Sequence, residues 1–529
     1  MRCSTFVALI LSGIAPVLAC NDCGNPEHKS PRPNRGKPAF VDGKFAQYMN
    51  NTAACEKRKE VPNFTGFIKV GKKYENSKMW FWLFEQRDSL GYEPLVLHLG
   101  GGPGLPGSQS LLDGTGPCVV RPKTEWPIDN EDHYLHDAAR VLYVDALFGT
   151  GYSTGPEVKT TEEAVKYLSQ FLQRFYMKFW KFHKGPLMIW GADYNAHLAA
   201  AFAAEILRKN HVAAQKGYNG TWVPVPLRLL GFDSPRLDLT IQHKAAIDYS
   251  HENKWRKLIS AQDRDILLKE FTTKYEDRFT ECGLNRSMNC TKEIAEQKAL
   301  WHTLTHGRAF GKGPELERHA SLDNIRRIRQ KDDPIELERL SEATSKTKWI
   351  SSEKTQKIIG LTGGRINLGP LKYEPYNVGL EKKFWQSGDA IRSSLPDLDL
   401  VLSAGIPTMF VVGGTDFNTN SIGVLRVAEA IKHPGQEKFK KAETLQFGTE
   451  EREKIGSTNK EGWVWKDDAA TVKTAGNITF ITVKSAGHHV AKWTPNTLTK
   501  CFKWHIEGYS PGREHRSSSG RMRNYYGPQ

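Results

Sequence analysis

LMIWGADYNAH, residues 187–197, is the stretch on which the fold turns. Its first four residues form a short apolar run of strand type, and the small and apolar residues from Ala199 to Leu207 read as a helix. Between the two, Gly191-Ala192-Asp193-Tyr194-Asn195-Ala196 leaves no length for a loop, so strand passes almost directly into helix. This is the layout of a nucleophile elbow, a strained turn that exposes its central side chain at the carboxyl edge of a sheet, near the N-terminus of the next helix. Small residues flank the centre because the turn brings the strand and helix backbones close together. The central residue is Asp193.

The pattern extends outward from this turn. Upstream, β-rich runs occupy 67–70, 79–84 (MWFWLF) and 94–99 (PLVLHL), the last ending in GGGPG at 100–104. A further run, RVLYVD at 140–145, leads into FGTGYSTG. Thr160 and Glu163 form a capping box, and Ala164, Leu168, Phe171, Leu172, Phe175 and Phe179 then recur on one helical face. Downstream, 227–232 supplies another strand, and 408–412 and 477–483 resume the series after a long gap. Strand and helix alternating in this way predict an α/β fold: a mostly parallel sheet with helices on both faces. The gap, from about 235 to 395, is helical and charged. Between Arg308 and Lys354 it carries 11 basic and 9 acidic residues, the mixture of a solvated helical surface rather than of a nucleic-acid patch.

The whole chain has 529 residues, is 39% hydrophobic and 10% aromatic, and has a formal charge of +15. That aromatic content fills a sizeable core and excludes disordered and collagen-like classes. Arg2, the apolar run 6–16 and Val17-Leu18-Ala19 form a signal peptide, predicting a secreted or vacuolar protein. Ala19-Cys20 also matches a bacterial lipoprotein box. Six Asn-x-Ser/Thr sequons, at Asn50, Asn63, Asn219, Asn285, Asn289 and Asn477, favour a eukaryotic glycoprotein instead. No later apolar stretch is long enough to span a membrane. Cleavage after Ala19 removes Arg2 and Cys3, leaving a charge of +14 and seven cysteines. A secreted chain does not ordinarily meet nucleic acid, and the positive charge is assigned to the tail and the charged helical segment. Cys282 and Cys290, eight apart, are expected to close a local loop, and Cys20, Cys23, Cys55, Cys118 and Cys501 are further bridge candidates. The odd number leaves one cysteine over. The spacing matches no zinc site, and no cofactor is expected.

Nine motifs occur in order: PNFTGFIKV (62–70), WFWLFE (80–85), GGPG (101–104), GPC (116–118), VLYVDALFGTGYSTG (141–155), WGADYNAH (190–197), SGDAIRSSLPDL (387–398), GIPTMFVVGGTDF (405–417) and SAGHHV (485–490). Over residues 61–508 the chain resembles the serine carboxypeptidases, and most of all their fungal secreted members. The resemblance implies an α/β-hydrolase core (61–235 and 395–508), a helical cap inserted at 236–394, and an arm (20–60) tied to the core by a Cys55–Cys118 bridge. A basic tail, 509–529, follows. It also implies release of C-terminal amino acids from peptides, with the catalytic acid at Asp416, the base at His488, and an oxyanion hole at the Gly102 and Tyr194 amides. The neighbouring Gly101 and Gly104 belong to the same loop.

The departures from the family pattern fall on the site itself. The nucleophilic serine of the family's GESYGG is Asp193, and the glutamate before it, which binds a substrate's carboxylate, is Ala192. The family's other two carboxylate binders, an asparagine before GGPG and a glutamate before GPC, are Gly100 and Gly114. Three readings follow: a catalytically deficient homologue, a hydrolase using Asp193 as nucleophile in the manner of epoxide hydrolases, and a peptidase surviving by compensation. Two carboxylates beside His488 favour its imidazolium, which weighs against the second reading. Asn195 also lacks the glycine that usually lets the elbow close. Tyr194 and His197 are expected to pack rather than react. His489 replaces a family methionine. Adjacent residues of a strand point to opposite sides, so no His488–His489 metal pair is expected. The ligand, peptide or small molecule, is left open.

Overall fold

The computed structural model describes residues 39–507, except 43–45, 51, 72–75, 88–92, 122–123, 125, 131–134, 217–221, 307–320, 327–333, 363–370 and 452–463. The segment 1–19 expected as a signal peptide, most of the expected arm with Cys20 and Cys23, the sequon at Asn219 and the expected tail 509–529 lie outside the described residues.

Fourteen strands are described: β1 (Ala39–Asp42), β2 (Ala46–Asn50), β3 (Asn63–Val70), β4 (Ser77–Phe84), β5 (Leu95–Leu99), β6 (Cys118–Val119), β7 (Ile128–Asp129), β8 (Arg140–Val144), β9 (Leu187–Ala192), β10 (Leu227–Asp233), β11 (Thr408–Gly413), β12 (Thr444–Glu451), β13 (Val464–Ala475) and β14 (Ile478–Val483). Among the described residues, twelve of them make one sheet in the order β1-β2-β3-β4-β8-β5-β9-β10-β11-β14-β13-β12, and β6 and β7 pair separately. The six strands from β8 to β14 run parallel. Both flanks are antiparallel, giving a mixed sheet around the expected parallel centre. The expected arm also contributes to it: β1 and β2 extend the sheet edge beyond β3.

Side chains of the central strands alternate between two apolar layers. Leu97, Leu99, Leu142, Val144 and Ile189 pack with Leu168, Phe171 and Phe175 of helix α1 (Thr161–Lys178) and with Ala196, Ala199 and Ala203 of helix α2 (Asn195–Lys216). Val96, Val141, Tyr143 and Trp190 face the other way, onto Leu498 and Phe502 of the C-terminal helix Pro495–Glu507. The capping box holds with one change. Thr160 Oγ1 accepts the Glu163 amide (3.2 Å), but the Glu163 carboxylate returns to the Lys159 amide (2.8 Å).

Between β10 and β11 the described chain is helical, including Leu239–Glu252, Ala261–Lys274, Glu276–Leu284, Thr291–His306, Pro334–Ser351 and Val378–Gln386. Tyr249, Phe271, Phe279, Ile294 and Leu304 give it a core of its own, joined to the sheet side through Phe417.

Cys55 pairs with Cys118, and Cys282 with Cys290. Cys501, expected as a bridge candidate, is instead a buried free thiol whose pKa burial pushes up to about 12. The sequon at Asn63 also needs correction. Its amide begins β3 at 2% exposure, accepting from the Thr52 amide and hydroxyl and donating to the Thr52 carbonyl, which leaves no room for a glycan. Asn285, Asn289 and Asn477 are exposed, and Asn50 is half-buried.

Candidate active site

The predicted site residues meet at the carboxyl ends of the parallel strands, where open α/β sheets hold their ligands. Asp193 follows β9 directly, with φ +47°. Its amide donates to the Asp233 carbonyl (3.1 Å), and its own carbonyl accepts from the Ala196 and Arg236 amides (3.2 and 3.0 Å). The turn closes because Gly191 lets α2 approach: a Cβ there would lie 2.7 Å from Ala199 Cβ. Asn195 takes the place of the missing glycine by bonding outward. Its amide donates to the Gly101 carbonyl (2.8 Å) and its Nδ2 to the Gly100 carbonyl (2.7 Å), fastening the glycine loop to the elbow.

His488 Nδ1 hydrogen-bonds with Asp416 Oδ2 at 3.0 Å, and its Nε2 stands 3.6 Å from Asp193 Oδ1. Asp416 is fully buried and is itself held by the Thr419 amide and hydroxyl. Nucleophile position, ring and orienting acid are thus in line, but the first of them is charged and occupied. Arg236, in the turn after β10, donates its Nε to Asp193 Oδ1 at 2.7 Å. Burial alone would raise the Asp193 pKa; Arg236, His488, His489 and the Tyr194 amide outweigh it and hold the carboxylate below its ordinary range. One of the two amides expected to bind an oxyanion therefore serves Asp193. Burial likewise acts to depress His488, yet the Asp416 carboxylate, the hydrogen bond to it and Asp193 together raise its pKa to about 9. The ring is an imidazolium at neutral pH.

Sequence reasoning missed Arg236. A signal existed: a carboxylate at a buried elbow needs a counter-ion, and Arg236 is the first base after the neighbouring strand.

It also misplaced His489. The two histidines lie in a turn beyond β14 rather than on a strand, and His489 has φ +59°. That left-handed backbone brings the rings together, with centroids 4.2 Å apart. Among the described residues the non-glycine positions of positive φ are Asp193, Ser234 and His489. All three adjoin this site, and such strain gathers where structure around it overdetermines the backbone. Here Ser234 Oγ accepts the His489 amide (3.1 Å) and Asp233 Oδ1 accepts the Val490 amide (3.0 Å).

The three positions expected to lack the family's carboxylate binders are closed off differently. At Gly100 a Cβ would lie 1.7 Å from Ser110 Oγ, so the serine fills the space a side chain would need. Gly114 has φ +110°, a conformation that strains any other residue. Ala192 is buried and lines a cavity of about 120 Å³ with His98, Gly101, Asp233, His489 and Lys492. Tyr194 and His197 bond into the helical segment, the first to Asp389 (2.7 Å) and the second with Ser394 Oγ (2.8 Å).

Comparison with known proteins agrees with this architecture. The family model for serine carboxypeptidase matches residues 54–508. Carboxypeptidase S1 of Penicillium janthinellum is 28% identical over 462 residues, covering 87% of this chain and 98% of its own. Carboxypeptidase Y of Schizosaccharomyces pombe is 24% identical over 462 residues, covering 85% of this chain and 41% of its own. Among solved structures, Kex1Δp, a prohormone-processing carboxypeptidase of Saccharomyces cerevisiae, superposes with a TM-score of 0.67 at 18% identity, over 84% of this chain and 91% of that one. The fold is that of the α/β-hydrolases, and the chain belongs to the serine carboxypeptidase family.

Proposed function

We propose that this chain is a secretory-pathway member of its family in which peptidase chemistry is deficient, and that its site binds rather than turns over a ligand. The observation that carries this reading is the 2.7 Å ion pair between Arg236 and Asp193. It fixes a carboxylate where a hydroxyl would attack, and spends the guanidinium on it. An acyl-transfer site needs a base to take the nucleophile's proton. Here there is no such proton, and His488 is already charged at neutral pH. Loss of the binders at Gly100, Gly114 and Ala192 removes the means of holding a substrate's C-terminal carboxylate. Attack on carbon by Asp193, as an epoxide hydrolase would do it, is opposed by the same pairing. The guanidinium would have to release the carboxylate before it could attack, and the resting imidazolium offers no base. The helices between β10 and β11 act as the cap, and the exposed Asn285, Asn289 and Asn477 carry glycans.

Incubation with blocked dipeptides, epoxides and haloalkanes, followed by turnover assay and mass analysis of the Asp193 peptide, tests this reading. Neither turnover above a His488→Ala control nor an adduct is expected. Asp193→Ser alone is expected to stay at that control level, because the carboxylate binders remain absent. Peptide turnover that survives Asp193→Asn and disappears in His488→Ala would establish a compensated peptidase. An ester on Asp193 would establish the nucleophile instead.

A further inference from the structure

Asp193, His488 and His489 bring a carboxylate oxygen and two imidazole nitrogens within 4.8 Å of one another. The set is converging rather than accidental in three respects. Asp416 holds Nδ1 of His488 at 3.0 Å and so presents Nε2 toward Asp193, the carboxylate–histidine relation found behind metal-ligating imidazoles. The left-handed backbone of His489, pinned by Ser234 and Asp233, turns its ring toward the same point. The cavity beside the set is lined by His489 and by His98, a buried imidazole with neither ring nitrogen hydrogen-bonded. We propose that Asp193, His488 and His489 form a binding site for a divalent transition-metal ion of the zinc type, with Asp416 as the outer partner of His488.

The donor set selects the class of ion. Two imidazoles and one carboxylate suit Zn²⁺, Co²⁺ or Ni²⁺, the ion displacing the His488 Nε2 proton to solvent as it binds, whereas Ca²⁺ and Mg²⁺ require oxygen ligands throughout. Tetrahedral ligands at ~2.1 Å from an ion stand ~3.4 Å apart, so the side chains need close by only about an ångström. Three protein ligands leave at least one coordination position for water or a small ligand from the cavity. Arg236 opposes the ion, because its guanidinium shares Asp193 Oδ1. Its side chain is 30% exposed and has solvent to move into as the ion enters. This proposal rests on the cluster's geometry and not on the absence of peptidase activity, so the two fail separately.

The test uses the full secreted chain without a polyhistidine tag, stripped with chelator and titrated with Zn²⁺ by calorimetry and with Co²⁺ by visible absorption. One saturable equivalent is expected, with Co²⁺ bands of low-coordinate His/carboxylate ligation. His489→Ala is expected to weaken binding at least 10-fold, and Asp416→Asn on the order of 10-fold. Arg236→Gln is expected to strengthen it, the reverse of what loss of a merely structural ion pair would do. The half-buried His489 and the partly exposed Arg236 are the variants least able to disturb folding, and far-UV circular dichroism checks each. No saturable uptake, or affinity unchanged in both His489→Ala and Arg236→Gln, overturns the site.

Discussion

Asp193 makes two charged contacts at once, with Arg236 at 2.7 Å and His488 at 3.6 Å, and His488 is shared in turn with Asp416 at 3.0 Å. One carboxylate at the elbow thus sets the charge of the whole line. His488, at about 9, lies above the ordinary histidine value of about 6.5. A base whose folded pKa is raised contributes stability that is fully present below its unfolded value and is lost as pH rises through the folded one. Comparing wild type with His488→Gln in urea, metal-free, should therefore show an advantage of roughly 3 kcal/mol near pH 6 that fades towards about pH 10. An advantage that grows with pH would mean the ring is buried neutral. Asp193→Asn removes one of the two flanking carboxylates, so the His488 ring signals should titrate at a lower midpoint by NMR. Asp193 was legible in the strand-to-helix turn itself, and Asp416 and His488 through the motifs GTDF and AGHHV that carry the family resemblance. Arg236 and the direction of His489 were not, because they depend on which loops face the elbow and on a φ of +59° that no local pattern announces.

At the scale of single elements, local chemistry and long-range pairing separate cleanly. Helix α1 was readable because its cap, its apolar stripe and its length agree, and Leu168, Phe171 and Phe175 are all buried as the spacing requires. Its stability divides accordingly. Thr160→Ala removes a cap bond and should cost about 1 kcal/mol, while Phe175→Ala opens a cavity in a fully buried layer and should cost about 3–5 kcal/mol. Similar losses for the two in chemical denaturation would contradict that division. The elbow follows a stricter rule. Gly191→Ala places a methyl 2.7 Å from Ala199 Cβ, so α2 must retreat from β9, and overpacking of this kind costs typically about 1–3 kcal/mol. Strands β12 and β13 escaped notice for the opposite reason. VWKDDAATVKTA carries four charged side chains and pairs on both its edges, so its strand character comes from β14 and β12 rather than from its own composition.

The whole molecule is a parallel centre that sequence rhythm reveals, enclosed by antiparallel flanks that it does not. Crossover helices mark parallel pairs and leave a strand–helix alternation in the chain, whereas β1, β2 and β3 follow one another as antiparallel neighbours, a pairing that leaves no such alternation. The two disulfides serve this plan unequally. Cys55–Cys118 closes a separation of 63 residues and joins the segment after β2 to strand β6, with both cysteines buried in the layer under the sheet. Beside it, Glu56 accepts from Arg87 and bonds with His136, a buried ionic knot at the same junction. Cys282–Cys290 closes only 8 residues within the helical segment. Chain-entropy arguments assign about 4 kcal/mol to the long loop and about 2.5 kcal/mol to the short one. Removing the long bridge also leaves its two sites unpaired in the core, so the measured gap between the two should widen. The paired variant Cys55→Ser/Cys118→Ser is accordingly expected to lose more thermal stability than Cys282→Ser/Cys290→Ser, and to unfold the sheet and α1 together. If scanning calorimetry of the second variant showed the larger fall in Tm, the helical segment rather than the sheet would be the unit that limits unfolding.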